Sequence, residues 1–390
     1  MSQQKSECHY PGCKENLLTS AKKGHCIFHA RTEEKDTREF HKALENYVNR
    51  IKKAKDLDYN FMGFIFVGDI DFRSLLNQSV SKNVSFEAAE FHGTAHFDEI
   101  EFQKDFFFNQ AEFHHGDVFF SRAKFHGETH FDSTRFEHAD FVRVEFHGET
   151  HFWATRFGQG THFMRAKFTA RAYFSNSFIR GRVSFASATL ENISLTPLNL
   201  DEDARIDFAD ARLRNTEITR QDIEDHIMQE REKFFPQAKE IYLLLKNNFH
   251  SLGRYDDESW AFKKEKDMER KSYFHFRFFP KWLGSMFWNI LYGYGERLIF
   301  ILGWCAGLIF FSSIWYWLYK GVGEMVGQQI VPLKGYLNYL YFSVITFTTL
   351  GYGDFRPRGG CKILASIEAL LGIFFVALFI FTIARRTAGR

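Results

Sequence analysis

Phenylalanine recurs at a fixed spacing through the middle of the chain, and this repeat restricts the possible folds more than any other feature. The sequence has 48 Phe among 390 residues, and pairs of Phe five residues apart recur every 10 to 12 residues from Phe86 to Phe168. A period of five fits neither the 3.6 residues of a helical turn nor the alternation of a flat strand. It fits short strands that turn a corner after every five residues and point Phe inward. Since each buried ring removes about 150–250 Å² from water, we interpret this Phe ladder as a structural core.

The repeat resembles the pentapeptide-repeat family, whose fold is a right-handed, four-sided β-helix. Here every second pentapeptide has one extra residue, so that two repeats of 11 residues form one coil of about 22. Across residues 60–214 the resemblance implies about seven coils, with neighbouring strands roughly 4.8 Å apart. Residues 31–58 are predicted to form a charged helix before the solenoid. Residues 219–273 are predicted to form a helical hairpin that covers its open end.

A cysteine-rich segment at the N-terminus has the spacing of a metal site. Three of the five cysteines lie within residues 1–30, a segment too short to bury a core. Zinc binds four nitrogen or sulfur ligands in a tetrahedron and can fold such a segment, so we predict a zinc knuckle. The expected ligands are Cys8, Cys13, Cys26 and His29. His9 and His25 are competing ligands, and a disordered tail with free thiols is the alternative.

Two apolar segments in the C-terminal part are each long enough to cross about 30 Å of hydrocarbon. Residues 298–319 contain no charged side chain, and residues 362–385 contain a single acidic one, Glu368. Residues 278–292, which mix Trp with Lys and Asn, are predicted to form an interfacial helix. Arginine and lysine precede the first span and follow the second. The positive-inside rule therefore predicts a cell-membrane protein with both termini in the cytoplasm.

The segment between the two spans carries the most informative motif of the chain. Residues 336–354 contain a short helix candidate that leads into the sequence TFTTLGYGD. This motif resembles the potassium-channel signature, in which T-V-G-Y-G lines the selectivity filter. The filter residues that the resemblance implies are Thr348, Thr349, Leu350, Gly351, Tyr352, Gly353 and Asp354. The sequence departs from the signature at Leu350, where Val is commonest, and we expect this side chain to pack behind the filter.

The chemistry of such a filter explains why it needs these residue types. A dehydrated K⁺ ion requires rings of carbonyl oxygens in place of its water shell. Successive carbonyls reach one axis only if alternate residues adopt left-handed backbone angles, which Gly351 and Gly353 allow. The aromatic Tyr352 favours K⁺ over a non-selective filter. One chain supplies a quarter of each ring, so the resemblance implies a homotetramer with K⁺ as the permeant ion.

The predicted fold class is a multi-domain chain with a quadrilateral β-helix, an α-helical hairpin and an all-α, two-span pore module. The resemblance implies a potassium-selective channel whose solenoid regulates gating or assembly. The alternatives are a non-selective cation channel and a pentapeptide-repeat scaffold tethered to the lipid bilayer. The near balance of 50 Lys+Arg and 48 Asp+Glu argues against a nucleic-acid partner. The sequence shows no motif of an enzyme, and none that identifies a gating ligand.

Two residues of the second span are gating candidates. Glu368 is an ionisable group in a membrane span, which is by itself a reason to propose a functional role. We interpret it as a hydrogen-bond brace to the pore helix, with a gating or ion-path role and a snorkelling group as alternatives. Gly372, one turn later, resembles the hinge glycine of pore-lining helices, and a packing glycine is the alternative.

The heptapeptide FHGETHF occurs at residues 125–131 and again at 146–152. The copies are 21 residues apart, about one coil, so we expect them to stack at roughly 4.8 Å. Their outward side chains would then share one patch of wall that takes up protons or a divalent ion such as Zn²⁺. This sensor hypothesis involves His126, Glu128, His130, His147, Glu149 and His151. Duplication of a repeat without selected chemistry is the alternative.

Overall fold

The computed structural model describes residues 8–11, 13–15, 24–273, 279–295, 298–326 and 329–388. The chain divides into two compact units, Met1–Glu265 and Lys266–Arg390. The helices of the described residues are α1 (Thr37–Lys53), α2 (Phe72–Leu75), α3 (Arg220–Ile223), α4 (Met228–Arg231), α5 (Phe235–Ser251), α6 (Tyr255–Ser272), α7 (Phe279–Tyr292), α8 (Leu298–Leu318), α9 (Tyr336–Phe347) and α10 (Cys361–Ala388). Single 3-10 turns cover Thr32–Glu34 and Gly293–Gly295.

The first unit is built around a β-solenoid of about seven turns, which confirms the predicted fold. Its short strands run in parallel from one coil to the next. They are β1 (Tyr59–Asn60), β2 (Ile65–Val67), β3 (Ile70–Asp71), β4 (Ser79–Val80), β5 (Val84–Ser85), β6 (Glu90–His92), β7 (Ala95–His96), β8 (Glu101–Phe102), β9 (Phe106–Phe107), β10 (Glu112–Phe113), β11 (Val118–Phe119), β12 (Lys124–Phe125), β13 (Thr129–His130), β14 (Arg135–Asp140), β15 (Glu145–Phe146), β16 (Thr150–His151), β17 (Arg156–His162), β18 (Lys167–Phe168), β19 (Ala172–Tyr173), β20 (Phe178–Ile179), β21 (Arg182–Ser184), β22 (Thr189–Glu191), β23 (Ile193–Ser194), β24 (Asn199–Leu200), β25 (Arg205–Asp207) and β26 (Arg212–Arg214).

These strands stack into sheets that make four faces. One face is the sheet β1-β5-β9-β13-β16-β19-β23, and a second is the sheet β4-β8-β12-β15-β18-β22-β26. The other two faces belong to one 12-stranded sheet. They are joined because β14 continues through a corner and pairs with both β10 and β11. A coil without such a continuous strand contributes four strands, as β5 to β8 do.

Stacked phenylalanine rings fill the interior of the solenoid, as predicted. Phe91 pairs with Phe113 one coil away, and their ring centroids lie 4.5 Å apart at an angle of 7°. Phe131 and Phe152 repeat this geometry at 4.9 Å and 9°. These rings are almost completely buried. The Phe ladder is therefore a core, and its chemistry is that of packing.

Corners of two kinds alternate along each coil. In the five-residue half of the repeat, the second residue after Phe adopts a left-handed conformation, with φ of 52° at Ala88, 58° at Arg122 and 59° at Arg165. In the six-residue half, several corners carry glycine, and neighbouring coils approach closely there. A Cβ atom on Gly148 would lie 2.0 Å from the carbonyl oxygen of Gly127, its counterpart on the adjacent coil. Only glycine permits this approach between backbones.

We expect Gly148→Ala to destabilise the solenoid by about 1–3 kcal/mol, because the added methyl group overlaps a backbone oxygen that cannot rotate away. Thermal unfolding of the full chain, followed by circular dichroism, measures the loss. Gly160→Ala is the matched control, since its Cβ would meet only side chains, the rings of His138 at 3.3 Å and His162 at 3.7 Å. Equal melting temperatures for the two variants would contradict the proposed close approach.

The C-terminal end of the solenoid is covered by helix α5. The side chain of Asn248 donates a hydrogen bond to the carbonyl oxygen of Thr216 at 2.8 Å and accepts one from its amide at 3.2 Å. Both residues are buried. Helix α6 returns along α5, and Lys246 pairs with Glu265 across the hairpin at 3.0 Å. The hairpin thus closes the last coil, whose Phe and strand edges would otherwise be exposed.

The N-terminal end is covered by α1 and by the turn around Phe28, which sequence analysis does not predict. The Phe28 ring stacks on Phe64 of the first coil at 4.5 Å. Phe40 of α1 packs edge-on against Phe66 at 5.9 Å. Helix α1 is shorter than predicted because Asp36 accepts hydrogen bonds from two amides of the first turn and fixes its start. The N-terminal segment is therefore an integral cap of the solenoid.

The second unit contains two helices long and apolar enough to cross a membrane, over Leu298–Leu318 and Cys361–Ala384. Helix α7 covers the predicted interfacial segment except residue 278, which lies outside the described residues. An antiparallel sheet of order β28-β27-β29 was not predicted, because its strands are short and lack alternation. Its members are β27 (Val322–Val326), β28 (Gln329–Pro332) and β29 (Phe355–Pro357).

Candidate pore and metal centre

The loop after α9 has the backbone that the filter motif predicts. Helix α9 ends at Phe347, and φ is 52° at Gly351 and 82° at Gly353, so both glycines are left-handed as expected. Thr349 is also left-handed, with φ of 56°, which sequence analysis does not predict. The amides of Leu350 and Gly351 donate back to the carbonyl oxygen of Ile345 at 3.0 and 3.4 Å. These bonds tie the start of the loop to the last turn of α9.

The side chains of the loop lie open to solvent within one chain. Residues 348–354 are all exposed, with Leu350 at 59% and Tyr352 at 69%. Leu350 is therefore not covered within a single chain, and its packing behind a filter stays a prediction for an assembly of several chains. Side chains this apolar are normally covered by other protein or by lipid, so further copies of the chain are the natural cover for the loop.

Strand β29 fixes the chain where it leaves the loop. It pairs with β27, so that Phe355 lies opposite Glu324. Arg358 then donates its amide hydrogen to the carbonyl oxygen of Gly321 at 2.7 Å. Asp354, the last residue of the motif, accepts a hydrogen bond from the amide of Phe355 at 3.0 Å. Both ends of the loop are thus held, by α9 on one side and by the sheet on the other.

Glu368 lies in α10 and joins this helix to α8 and α9. Its carboxylate accepts a hydrogen bond from the Tyr316 hydroxyl of α8 at 2.7 Å and contacts the Ser343 hydroxyl of α9. Ser343 also lies 2.9 Å from the carbonyl oxygen of Ile309 in α8. Glu368 is 1% exposed. This geometry is that of a buried brace, and it does not fit a snorkelling group, which would extend toward the membrane surface.

Gly372 packs directly against the C-terminal end of α9. A Cβ atom at this position would lie 2.0 Å from the carbonyl oxygen of Phe347 and 2.9 Å from its carbonyl carbon. Phe347 is the last residue of α9, immediately before the filter loop. The contact favours the interpretation of Gly372 as a packing glycine, because two backbones meet where only a hydrogen atom fits.

The four predicted zinc ligands come together in the first unit. Their donor atoms all lie within 4.8 Å of one another. The Sγ atoms of Cys13 and Cys26 are 3.7 Å apart, and Nδ1 of His29 is 3.2 Å from Cys26 Sγ and 3.7 Å from Cys8 Sγ. Zinc–sulfur bonds of about 2.3 Å and zinc–nitrogen bonds of about 2.0 Å imply tetrahedral edges of about 3.5–3.8 Å. The donor set and its spacing therefore fit zinc.

Neighbouring groups orient these donors in the way zinc ligands require. The amide of Cys26 donates to Cys8 Sγ at 3.2 Å. Nε2 of His29 lies 3.1 Å from the carbonyl oxygen of Met62, which leaves Nδ1 facing the thiols. Burial lowers the pKa of His29 to about 4, so the ring is neutral at pH 7. His9 and His25 do not join this donor cluster among the described residues.

The repeated heptapeptides stack as predicted. His126 lies over His147 with ring centroids 4.8 Å apart, and His130 lies over His151 at 4.6 Å. Strands β13 and β16 place His130 and His151 in register. Each histidine pair therefore forms a ladder across two coils.

The prediction of one shared patch is wrong. His130 and His151 lie in the sheet that contains β13, whereas His126 and His147 follow β12 and β15, which belong to another sheet. The glycine corner between them turns the chain, and this separates the histidines into two columns on two faces. The carboxylates that pair with the two histidine columns likewise lie on different faces of the solenoid.

Different carboxylates serve the two columns. Glu128 lies 3.4 Å from His130. Glu149 lies 4.0 Å from His151. His126 instead pairs with Glu101 at 2.8 Å. Sequence analysis missed Glu101 and also Asp132, which lies 3.7 Å from His130. The register between coils, which differs by one or two residues from coil to coil, could not be derived from the spacing alone.

A family model described as "Ion channel" matches residues 303–388, which include most of α8, α9, the loop over residues 348–354 and α10. No curated protein matches the chain. The C-terminal part is thus an ion-channel module of the two-transmembrane type, and the N-terminal part is a repeat domain. A channel module joined to a β-solenoid is the architecture of a protein that is not an enzyme.

Proposed function

We propose that the protein is a potassium-selective channel. The observation that carries the proposal is the filter backbone, with left-handed Gly351 and Gly353 directly after α9 and between two apolar helices. Rings of carbonyl oxygens on such a loop replace the water shell of K⁺. The C-terminal end of α9 lies at the start of the loop, and the negative end of its dipole favours a cation there.

A homotetramer follows from the same loop. One chain supplies one quarter of each carbonyl ring, and the loop of one chain leaves Leu350 and Tyr352 exposed. Four copies around one axis would cover these side chains and complete the rings. The bilayer then covers the apolar outer surface of α8 and α10, where Phe311 is 70% exposed and Leu370 69%.

The positive-inside rule supports a cell-membrane location with both termini in the cytoplasm. Arg270 and Lys271 precede the first span among the described residues, whereas Arg277, Arg297 and Arg390 lie outside them. The solenoid and its cysteines would then lie in a reducing compartment, where thiols persist as metal ligands. The proposed role of the solenoid is to regulate gating or assembly of the pore.

Rubidium uptake tests the channel proposal against the tethered scaffold. Full-length protein is reconstituted into liposomes loaded with K⁺, and uptake of tracer rubidium is compared with that of protein-free liposomes. We expect uptake far above the control, because a carbonyl-lined pore passes K⁺ and the similar Rb⁺. Uptake equal to the control would remove the channel proposal and favour the scaffold.

Zinc is the proposed structural ion of the N-terminal cap. We expect one zinc per chain in purified protein, and Cys26→Ser to lose it, because three ligands hold zinc far more weakly than four. Cys305→Ser is the control, since this cysteine lies in α8. Zinc content is measured by mass spectrometry. The rate at which a protease cuts the N-terminal segment measures whether the cap stays folded. Full zinc retention by Cys26→Ser would contradict this assignment.

A proton-sensing role of the histidine ladders is a second proposal. Hydrogen bonding to Asp132 and then to Glu128 raises the pKa of His130 above its ordinary value of 6.5. A raised pKa in the folded state means that protonated His130 stabilises the fold. This stabilisation is complete below pH 6.5 and is lost as the pH rises through the raised value. The charge around His130 therefore changes as the pH rises through this raised pKa.

We expect the open probability of the channel to change between pH 6 and 8, and this change to disappear when the four ladder histidines are replaced with Gln. These are His126, His130, His147 and His151. The measurement is single-channel recording with and without micromolar zinc, and His162→Gln is the control. An identical pH response in the fourfold variant and the wild type would leave the solenoid as a scaffold.

A further inference from the structure

The tripeptide Glu-Phe-His occurs twice on one face of the solenoid, outside the heptapeptides. Strands β6 and β10 are neighbours in the 12-stranded sheet, and Glu90 pairs with Glu112 in register. The central Phe residues point inward, so that Glu and His point outward. His92 therefore lies over His114, with ring centroids 4.6 Å apart and 23° between the planes.

One carboxylate closes this pair into a three-donor cluster. Oε2 of Glu90 lies 3.5 Å from Nε2 of His92 and 3.6 Å from Nε2 of His114. The three donor atoms all lie within 4.8 Å of one another. Glu112 adds a carboxylate oxygen 3.8 Å from Nε2 of His114. Two imidazoles and one carboxylate from adjacent coils thus lie together, and a second carboxylate lies beside His114.

We propose that Glu90, His92 and His114 form a second transition-metal site, which takes Zn²⁺. Zinc bonds of about 2.0–2.2 Å to nitrogen and oxygen imply tetrahedral edges of about 3.3–3.6 Å, and two of the three donor separations already have this length. Glu112 or water supplies the fourth ligand. Two carboxylates and two neutral imidazoles balance the charge of a divalent ion.

A second outward histidine column shows why the site forms here. Directly after β12 and β15, in another sheet, His126 lies over His147 in the same way. There Lys124 pairs in register with Glu101 on one neighbouring coil and with Glu145 on the other, so a cation lies between the two carboxylates. A lysine between the carboxylates repels a divalent ion, whereas β6 and β10 carry Glu at both corresponding positions.

The site is accessible from solvent, and its ligands belong to two coils. The side chains are partly exposed, with His92 at 23% and His114 at 34%. A bound ion would join residues 22 positions apart, so it would clamp adjacent coils of the solenoid. Binding to the folded state alone raises stability in proportion to the logarithm of the free ion concentration. The site therefore links the stability of the repeat domain to free zinc.

The test counts zinc ions on the full-length chain in detergent, at micromolar free zinc with the N-terminal cluster already filled. We expect the double variant His92→Gln/His114→Gln to bind one zinc fewer per chain than the wild type. Glu90→Gln removes the negative charge and the carboxylate ligand of the cluster and leaves both histidines in place. This variant should also bind one zinc fewer per chain. His96→Gln is the matched control, since this histidine also lies on the 12-stranded sheet but beside a single carboxylate, Asp98, at 3.1 Å.

Two further readouts separate this site from the cysteine cluster and from misfolding. Cobalt at the second site should lack the thiolate charge-transfer bands that mark cobalt at the cysteine cluster. Added zinc should raise the melting temperature of the wild type more than that of the double variant. Equal zinc counts in the wild type and the double variant, with both folded by circular dichroism, would overturn the proposal.

Discussion

Gly351→Ala is expected to abolish rubidium uptake while tetramers still form in the membrane. The residue has φ of 52°, and this left-handed conformation costs an L-amino acid about 1–2 kcal/mol. In four subunits the cost reaches about 4–8 kcal/mol in one small structure, the filter. The carbonyl rings would then relax to a conformation that no longer surrounds the ion. Uptake should fall to the level of protein-free liposomes.

The control for this variant is Gly360→Ala. Gly360 lies in the turn before α10, its φ is not left-handed, and a Cβ atom there would have no neighbour within 4 Å among the described residues. We expect wild-type uptake from it. Crosslinking in membranes shows whether both variants form tetramers. Wild-type uptake by tetrameric Gly351→Ala would remove the assignment of residues 348–354 as the filter.

Gly372→Ala should reduce K⁺ conduction at least about tenfold, since overpacking costs about 1–3 kcal/mol at each site. Its Cβ would lie 2.0 Å from the carbonyl oxygen of Phe347, and real contacts of this kind are never below 3.0 Å. Either α10 must move away or the end of α9 must shift, and the filter begins at the next residue. The measurement is single-channel conductance, together with the thermal stability of the tetramer.

The same variant separates the packing role of Gly372 from the hinge role. A hinge glycine would change the open probability and leave the conductance of open channels intact. A packing glycine would lower conductance and stability together. Gly303→Ala is the control, because this helix glycine has no neighbour within 4 Å of its Cβ position among the described residues. Unchanged conductance and stability in Gly372→Ala would contradict the packing interpretation.

The repeat and the filter motif were predictable because each depends on local spacing. An inward Phe every five residues determines the four-sided coil, and Gly351 and Gly353 determine the left-handed loop. The cysteine–histidine cluster was predictable for the same reason, since its four donors lie within one short segment. In all three cases the side chains that act together are close in sequence, or recur with a constant period.

Other features depend on register and on contacts between distant segments. The pairing of Glu90 with Glu112, and of Lys124 with Glu101, follows from coils that vary by a residue in length. The partners of Glu368 come from two other helices, α8 and α9. The cap formed by Phe28 joins the metal cluster to the solenoid, although the sequence suggests an independent knuckle. Spacing alone does not determine contacts of this kind.

The reversal potential in a K⁺ gradient tests the central claim most directly. Full-length protein is placed in a planar bilayer with a tenfold gradient of K⁺, and Na⁺ balances the ionic strength on the dilute side. The current through a potassium-selective pore should reverse about 59 mV from zero, at the K⁺ equilibrium potential. A tenfold concentration ratio of a monovalent ion across the bilayer gives this value. A reversal potential near zero would show a non-selective cation pore and contradict the proposed function.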